Sequence, residues 1–299
     1  MKILITGGLG YIGSKLTEHL RHDEITVVDN LHTQRYCSLF NRLTDYKFIE
    51  DDFINLSEDV IKEFDYVIHL AAIADAAKSA QQKDIIKKVN VDNTIAFFKQ
   101  CSANGVRIIF PSSTSVYGMS TDVVYEDDNK YLNPQSVYAN GKILVEEALH
   151  LNQSDSSYVV LRFGTICGVS AGMRFQTCVN KFCYQATFGQ PLTVWRQNLN
   201  MVRPYLSLLD AISTIQFTIN HWKKMKGQTY NVVTNNLSLQ NVLDLLEKYV
   251  AYLVDLTDCP LLNQYSYDVN VDKIKKLGML FNDTIEPDIK DIITLLKAI

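Results

Sequence analysis

The chain has 299 residues, enough for one large domain or two modest ones around a sizeable core. Apolar residues make up 47%, charged residues 21%, and the net charge is −4 at pH 7. That balance excludes a strongly basic nucleic-acid or membrane-surface binder, so no partner of either kind is expected, and no apolar run is long enough to span a bilayer.

The first strand pattern, residues 2–6, opens directly on MKILIT without a signal peptide, which gives a cytoplasmic expectation. Glycines follow, then a helical stretch at 12–20. Further strands are predicted at 25–28, 46–49, 66–70 and 106–110, with a long helix at 83–103. These strands are near-continuous apolar runs, as parallel strands covered on both faces require. Strand–helix alternation predicts right-handed crossovers and an α/β fold with a doubly wound parallel sheet. Beyond lie a helix at 134–152, a strand at 158–163 and helices at 179–188, 208–220, 239–252 and 288–297. Short strands are predicted at 192–195 and 229–233. Lys223, Lys224 and Lys226 read as a solvated helix end. Cys37, Cys101, Cys167, Cys178, Cys183 and Cys259 form no C-x-x-C pair and no zinc-ligand spacing. They read as reduced thiols, and no metal is expected.

Thr6-Gly7-Gly8-Leu9-Gly10-Tyr11-Ile12-Gly13 lies between the first strand and first helix. Glycines at 7, 10 and 13 let a turn take positive φ and let backbone approach a pyrophosphate closely. The helix N-terminus then offers free N–H groups and a positive dipole end. Asp29 ends the second strand in ITVVDN, where a carboxylate accepts from both ribose hydroxyls and repels a 2′-phosphate. NAD is therefore the expected cofactor.

Tyr138 and Lys142 are four residues apart, on one helix face. A phenol titrates near ~10 and needs a neighbouring cation to serve as base at neutral pH. Upstream, Ser112-Ser113-Thr114-Ser115 follows the fifth strand, whose carboxyl end faces the ligand crevice of such a sheet. A serine there can hold the substrate oxygen that reacts.

TGGLGYIG, VVDN, HLAA at 69–72, SSTSVYG, YANGK and LRFGTICG together resemble the extended short-chain dehydrogenase/reductases, and within them the NAD-dependent epimerase/dehydratase family. The likeness runs from residue 1 to about 233. It implies a Rossmann-like domain over 1–165 with a returning segment at 204–235. A smaller C-terminal α/β substrate lobe is implied over 166–203 and 236–299. It further implies a nucleotide-diphosphate sugar as substrate and a homodimer built from helices near 83–103 and 135–152.

Carried onto this sequence, the resemblance implies that Gly7, Gly10, Tyr11, Ile12 and Gly13 contact the NAD pyrophosphate. Asp29 and Asn30 would hold the ribose, and Asp52 and Phe53 would bracket the adenine. Leu70, Ala71, Ala72 and Asn90 would line the cofactor, with Phe163 beside the nicotinamide. Ser113, Tyr138 and Lys142 match the catalytic trio. Trp195 would stack a nucleobase, Arg203 would grip a diphosphate, and Thr114, Thr165 and Gln176 would touch the sugar nucleotide. Thr165, Ser207 and Arg196 stand where the family usually has asparagine, histidine and glycine, which leaves the nucleotide and sugar open.

The acidic residues that family dehydratases and decarboxylases carry after the catalytic hydroxyl are replaced by Thr114 and Ser115, so elimination is not expected. Hydride chemistry at C4 of the sugar is. Three readings stay open: a 4-epimerase, a C4 dehydrogenase or 4-ketosugar reductase, and a non-catalytic NAD-sensing protein.

Overall fold

The computed structural model describes residues 1–40, 42–74, 83–118, 120, 122–151, 157–258 and 266–299. In chain order it contains β1 (Lys2–Thr6), α1 (Tyr11–His19), β2 (Glu24–Asp29), β3 (Lys47–Glu50), α2 (Glu58–Ile61), β4 (Tyr66–His69) and α3 (Lys83–Lys87). A π-helical turn (Lys88–Asn93) leads into α4 (Thr94–Ala103), β5 (Arg107–Ser113), β6 (Val123–Val124), α5 (Val137–Leu151) and β7 (Tyr158–Phe163). Then come β8 (Thr165–Cys167), α6 (Cys178–Thr187), β9 (Leu192–Trp195), β10 (Val202–Ser207), α7 (Leu208–Asn220) and α8 (Trp222–Met225). The chain finishes with β11 (Gln228–Val232), β12 (Asn235–Ser238), α9 (Leu239–Glu247), β13 (Val254–Thr257), β14 (Asp268–Val269), α10 (Asp272–Lys275) and α11 (Glu286–Lys297).

Seven strands form one parallel sheet in the order β11-β7-β5-β4-β1-β2-β3. The chain winds outward from β1 to β3, returns to β4 beside β1, and winds the other way, so the crevice opens at the carboxyl ends of β1 and β4. Both sheet faces are buried, which explains the unbroken apolar runs. Ile3 and Ile5 of β1 pack with Leu16 and Ile215 on one side, while Leu4 packs with Phe97 and Val145 on the other. His69 belongs to this core. It shares hydrogen bonds with Thr6 Oγ1 (2.8 Å) and Thr94 Oγ1 (3.2 Å), and burial lowers its pKa to about 3.

The second lobe has its own core, in which α6, α9 and α11 contribute Phe182, Leu243 and Ile292. A three-stranded sheet β12-β10-β8 and a β13–β9 pair complete it. Strand β10 was not predicted, because Pro204 argues against a strand. It is tolerated since β8 pairs only from Tyr205 onward, leaving β10 an edge at the proline. The helix expected at 83–103 is interrupted by the π turn, and the one expected at 239–252 stops at Glu247. The predicted helix end at Asn152, and Cys259, lie outside the described residues. No helix among the described residues is long and apolar enough to cross a membrane.

Candidate active site

The glycine turn between β1 and α1 is shaped by backbone contact. Gly7 holds φ at +68°, and a Cβ there would stand 2.6 Å from Ala71 N, so the turn lies directly on the end of β4. A Cβ on Gly13 would meet Gly8 at 2.5 Å, which is how α1 seats against the turn. A loop of the second lobe also presses on it: a Cβ on Gly172 would come within 2.5 Å of both Gly10 O and Leu9 O. Gly172 N donates to Ser14 Oγ (3.0 Å) and Ser170 Oγ to Tyr11 O (2.8 Å). The Tyr11 hydroxyl points into this junction, donating to Gly168 O (2.7 Å) and accepting from Asn180 (2.9 Å). Tyr11, like half-buried Ile12, therefore offers a ligand its main chain at the start of α1.

Asp29 is fixed at the end of β2 by Leu9 N (3.1 Å) and Leu31 N (2.9 Å). Burial raises its pKa, and these two N–H groups pull it back down. Asn30 reaches Asp52 across the strand ends at 3.3 Å, so the two predicted nucleoside contacts adjoin. Phe53 packs edge-on against His69 and Phe97 in the core, leaving only its main chain to face an adenine. Leu70, Ala71 and Ala72 continue β4 into the crevice. Asn90 lies in the π turn, and its amide brackets Ile73, accepting from its N–H and donating to its carbonyl at 2.9 Å each. It thus holds the crevice wall and acts through that wall.

Ser113 closes β5 beside Phe163, its register partner on β7. Its hydroxyl accepts from Ser115 N (3.2 Å) and starts a tight turn over Thr114–Tyr117. Tyr138 stands in the first turn of α5, and Lys142 one turn on donates to Pro111 O at 2.7 Å. The ammonium is 5.7 Å from the Tyr138 ring centroid and 4.4 Å from that of Phe110. Two expectations change here. Burial raises the Tyr138 pKa, and the charge acting against it is Arg174, whereas Lys142 was expected in that role. Burial also brings Lys142 down to about 8, with Glu146 opposing.

Arg174 escaped the sequence reading. Its Nη1 reaches Ala74 O at 3.4 Å, across the crevice from the second lobe to the end of β4, while its Nε is buried without a hydrogen-bond partner. Ser115 Oγ and Thr177 Oγ1 are likewise buried and unpartnered. The signal available was the one charged residue in the segment between β8 and α6.

Of the predicted substrate residues, Thr114 opens the turn after β5 and the others are spread along the second lobe. Arg203 on β10 lies over the ring of Tyr267, whose hydroxyl donates to Thr114 O at 3.2 Å. Thr165 pairs with Tyr205 of the same strand. Trp195 ends β9 and is 39% exposed, and Gln176 is exposed beside Arg174. A cavity of about 520 Å³ lies behind α5, lined by Glu126, His150 and Lys273, away from the crevice.

The cradle fits a dinucleotide: a turn no side chain can enter, free N–H groups at the start of α1, and a carboxylate at the end of β2. Residues 3–233 match the family model of the NAD dependent epimerase/dehydratase family. UDP-glucuronic acid decarboxylase 1 of Danio rerio is 29% identical over 233 residues, 73% of this chain and 54% of that protein. ADP-L-glycero-D-manno-heptose-6-epimerase of Brachyspira hyodysenteriae is 26% identical over 249 residues, 78% of this chain and 76% of that protein. In fold, UDP-glucuronic acid 4-epimerase from Bacillus cereus, solved with UDP-glucuronic acid and NAD, superposes with a TM-score of 0.88 over 100% of this chain and 99% of that chain at 22% identity.

Proposed function

The chain belongs to the NAD-dependent epimerase/dehydratase family, and from that premise we propose that it inverts C4 of a sugar carried on a nucleoside diphosphate. The observation that carries this reading is one juxtaposition. Ser113 closes β5, and α5, which carries Tyr138, is tied to that same strand end by Lys142 donating to Pro111 O (2.7 Å), with hydroxyls at 114 and 115 where elimination needs an acid.

Gly7, Gly10 and Gly13 would hold the pyrophosphate, Asp29 and Asn30 the ribose, Asp52 and the Phe53 main chain the adenine, and Leu70–Ala72 and Phe163 the nicotinamide end. When bound, NAD supplies the hydride acceptor and donor. The protein's part is proton transfer and placement. Tyr138 takes the proton of the reacting hydroxyl and Ser113 holds that oxygen in line; Arg174 is the charge set against the burial of the phenol, with the Lys142 side chain 5.7 Å from its ring. Arg203 suits the substrate diphosphate, with Thr165, Gln176 and Trp195 placed along the same lobe and Thr114 facing them from the turn after β5. The Arg174 guanidinium, whose Nε has no hydrogen-bond partner, adds positive charge where an anionic ligand enters. We further propose a homodimer through α3, α4 and α5, which expose Ile85 and Leu144. A cytoplasmic setting accords with the buried free thiols of Cys101, Cys167 and Cys183.

The test is a screen of UDP-, GDP-, CDP-, dTDP- and ADP-sugars with the NAD-loaded protein, followed by NMR of the sugar ring. A C4 epimer without net NADH supports the proposal. Stoichiometric NADH makes the protein a dehydrogenase. No conversion of any sugar defeats the reading and favours an NAD-sensing role.

A further inference from the structure

Behind the catalytic side chains runs a buried chain of polar contacts that the reaction above does not use. Glu146 stands one helical turn beyond Lys142 on α5 and is 2% exposed. Its carboxylate accepts from Ser112 Oγ, from Arg162 Nη2 (2.6 Å) and from Arg162 Nε (3.1 Å). Arg162 Nη1 donates to the Tyr117 hydroxyl (2.9 Å), which donates to Asn231 Oδ1 (2.6 Å), and the Asn231 amide donates to Glu126 (3.1 Å).

A buried ion pair of this kind contributes little net stability against a well-packed apolar equivalent, because desolvation offsets the Coulomb gain. Its geometry is more informative. Ser112 lies between Pro111, whose carbonyl receives Lys142, and Ser113. One carboxylate thus ties α5 to the strand end that carries both catalytic contacts, and Arg162 anchors that carboxylate to β7.

We propose that Glu146 is a positioning residue, which through Ser112 fixes the end of β5 carrying Ser113 and the Pro111 carbonyl, and which sets a carboxylate one helical turn beyond Lys142 on α5. Around Lys142 stand Tyr138 and Glu146 on α5 and His69 on β4. Around Glu146 stand Lys142 and His150 on α5 and Arg162 on β7, with Tyr117 and then Glu126 further along. Glu146 is the carboxylate that opposes the burial bringing Lys142 down to about 8. The effect on rate rests on the acid–base reading of Tyr138, whereas the effect on charge does not.

Wild type, Glu146→Gln and Ser112→Ala are compared as NAD-loaded protein. The first measurement follows the Lys142 ammonium by NMR of ¹³Cε-lysine, identified by its loss in Lys142→Arg. The midpoint moves to lower pH in Glu146→Gln and stays in place in Ser112→Ala. The second measurement uses whichever sugar nucleotide wild type converts. Ser112→Ala lowers kcat on the order of 10- to 100-fold, as a small misplacement of reacting groups does, with KM and NAD affinity held. Glu146→Gln lowers kcat and also brings the alkaline fall of activity to lower pH. An unmoved Lys142 midpoint with unchanged kcat, and only a lower Tm, overturns the proposal. If wild type converts no sugar, the function reading fails, yet the lysine titration still decides on Glu146. Should Glu146→Gln not fold, Ser112→Ala decides, and wild-type kcat in that variant overturns the proposal.

Discussion

The glycine turn and the second lobe meet at one crevice, but they are built from different parts. At the turn the backbone does the shaping: Gly7 sits against Ala71, Gly13 against Gly8 and Gly172 against Gly10, so no Cβ is admitted. In the second lobe side chains project from strands of three to six residues: Thr165 from β8, Trp195 from β9 and Arg203 from β10. A backbone cradle suits a cofactor that does not vary, and side chains on short strands can be exchanged to suit different sugars.

Substitutions can break that contrast or sharpen it. At the meeting point, Tyr138→Phe should lower kcat by on the order of 10²- to 10⁴-fold, the usual contribution of a general acid–base group. NAD affinity by calorimetry should hold, and an intact kcat would remove Tyr138 from the chemistry. On the backbone side, Gly7→Ala carries about 1–2 kcal/mol of left-handed strain and about 1–3 kcal/mol of overpacking against Ala71. NAD should bind roughly 100-fold more weakly, about 2.8 kcal/mol. Unchanged affinity would show that the turn yields where the contacts say it cannot. On the side-chain side, Arg203→Ala should raise KM for the sugar nucleotide about tenfold or more, as loss of a hydrogen bond to a charged group does. Parallel weakening of NAD would blur the division between the halves. Asp29→Ala should have the smallest effect, reducing preference for NAD over NADP by about tenfold in competitive binding, one lost hydrogen bond with repulsion relieved.

The same contrast decides what could be read in advance. The strands of the large sheet inside its β3 edge were legible because burial on both faces leaves apolar runs long enough to recognise. The glycine turn, Asp29 and the Tyr138–Lys142 pair were legible because each sits at a fixed distance from such a run. Two-residue strands such as β6 and β14 carry no periodicity, and β10 was concealed by Pro204. The π turn that brings Asn90 to Ile73 leaves no mark in an apolar pattern that continues through it. Glu146 was hidden differently. A glutamate four residues after a lysine on a helix reads as a solvated pair, and only Arg162, sixteen residues on and across the sheet, makes it a buried one.

The loop Gly168–Met173 leaves the second lobe and rests on the glycine turn proposed to hold the pyrophosphate, fastened through Ser170, Gly172 and the Tyr11 hydroxyl. Arg35 adds a further link by donating to Met173 O at 2.5 Å, from the segment after β2. The glycine turn and the loop that leads to Gln176 are therefore one mechanical element. Whatever factor a sugar nucleotide imposes on dinucleotide affinity by shifting that loop, the dinucleotide returns on the sugar, because linkage is reciprocal.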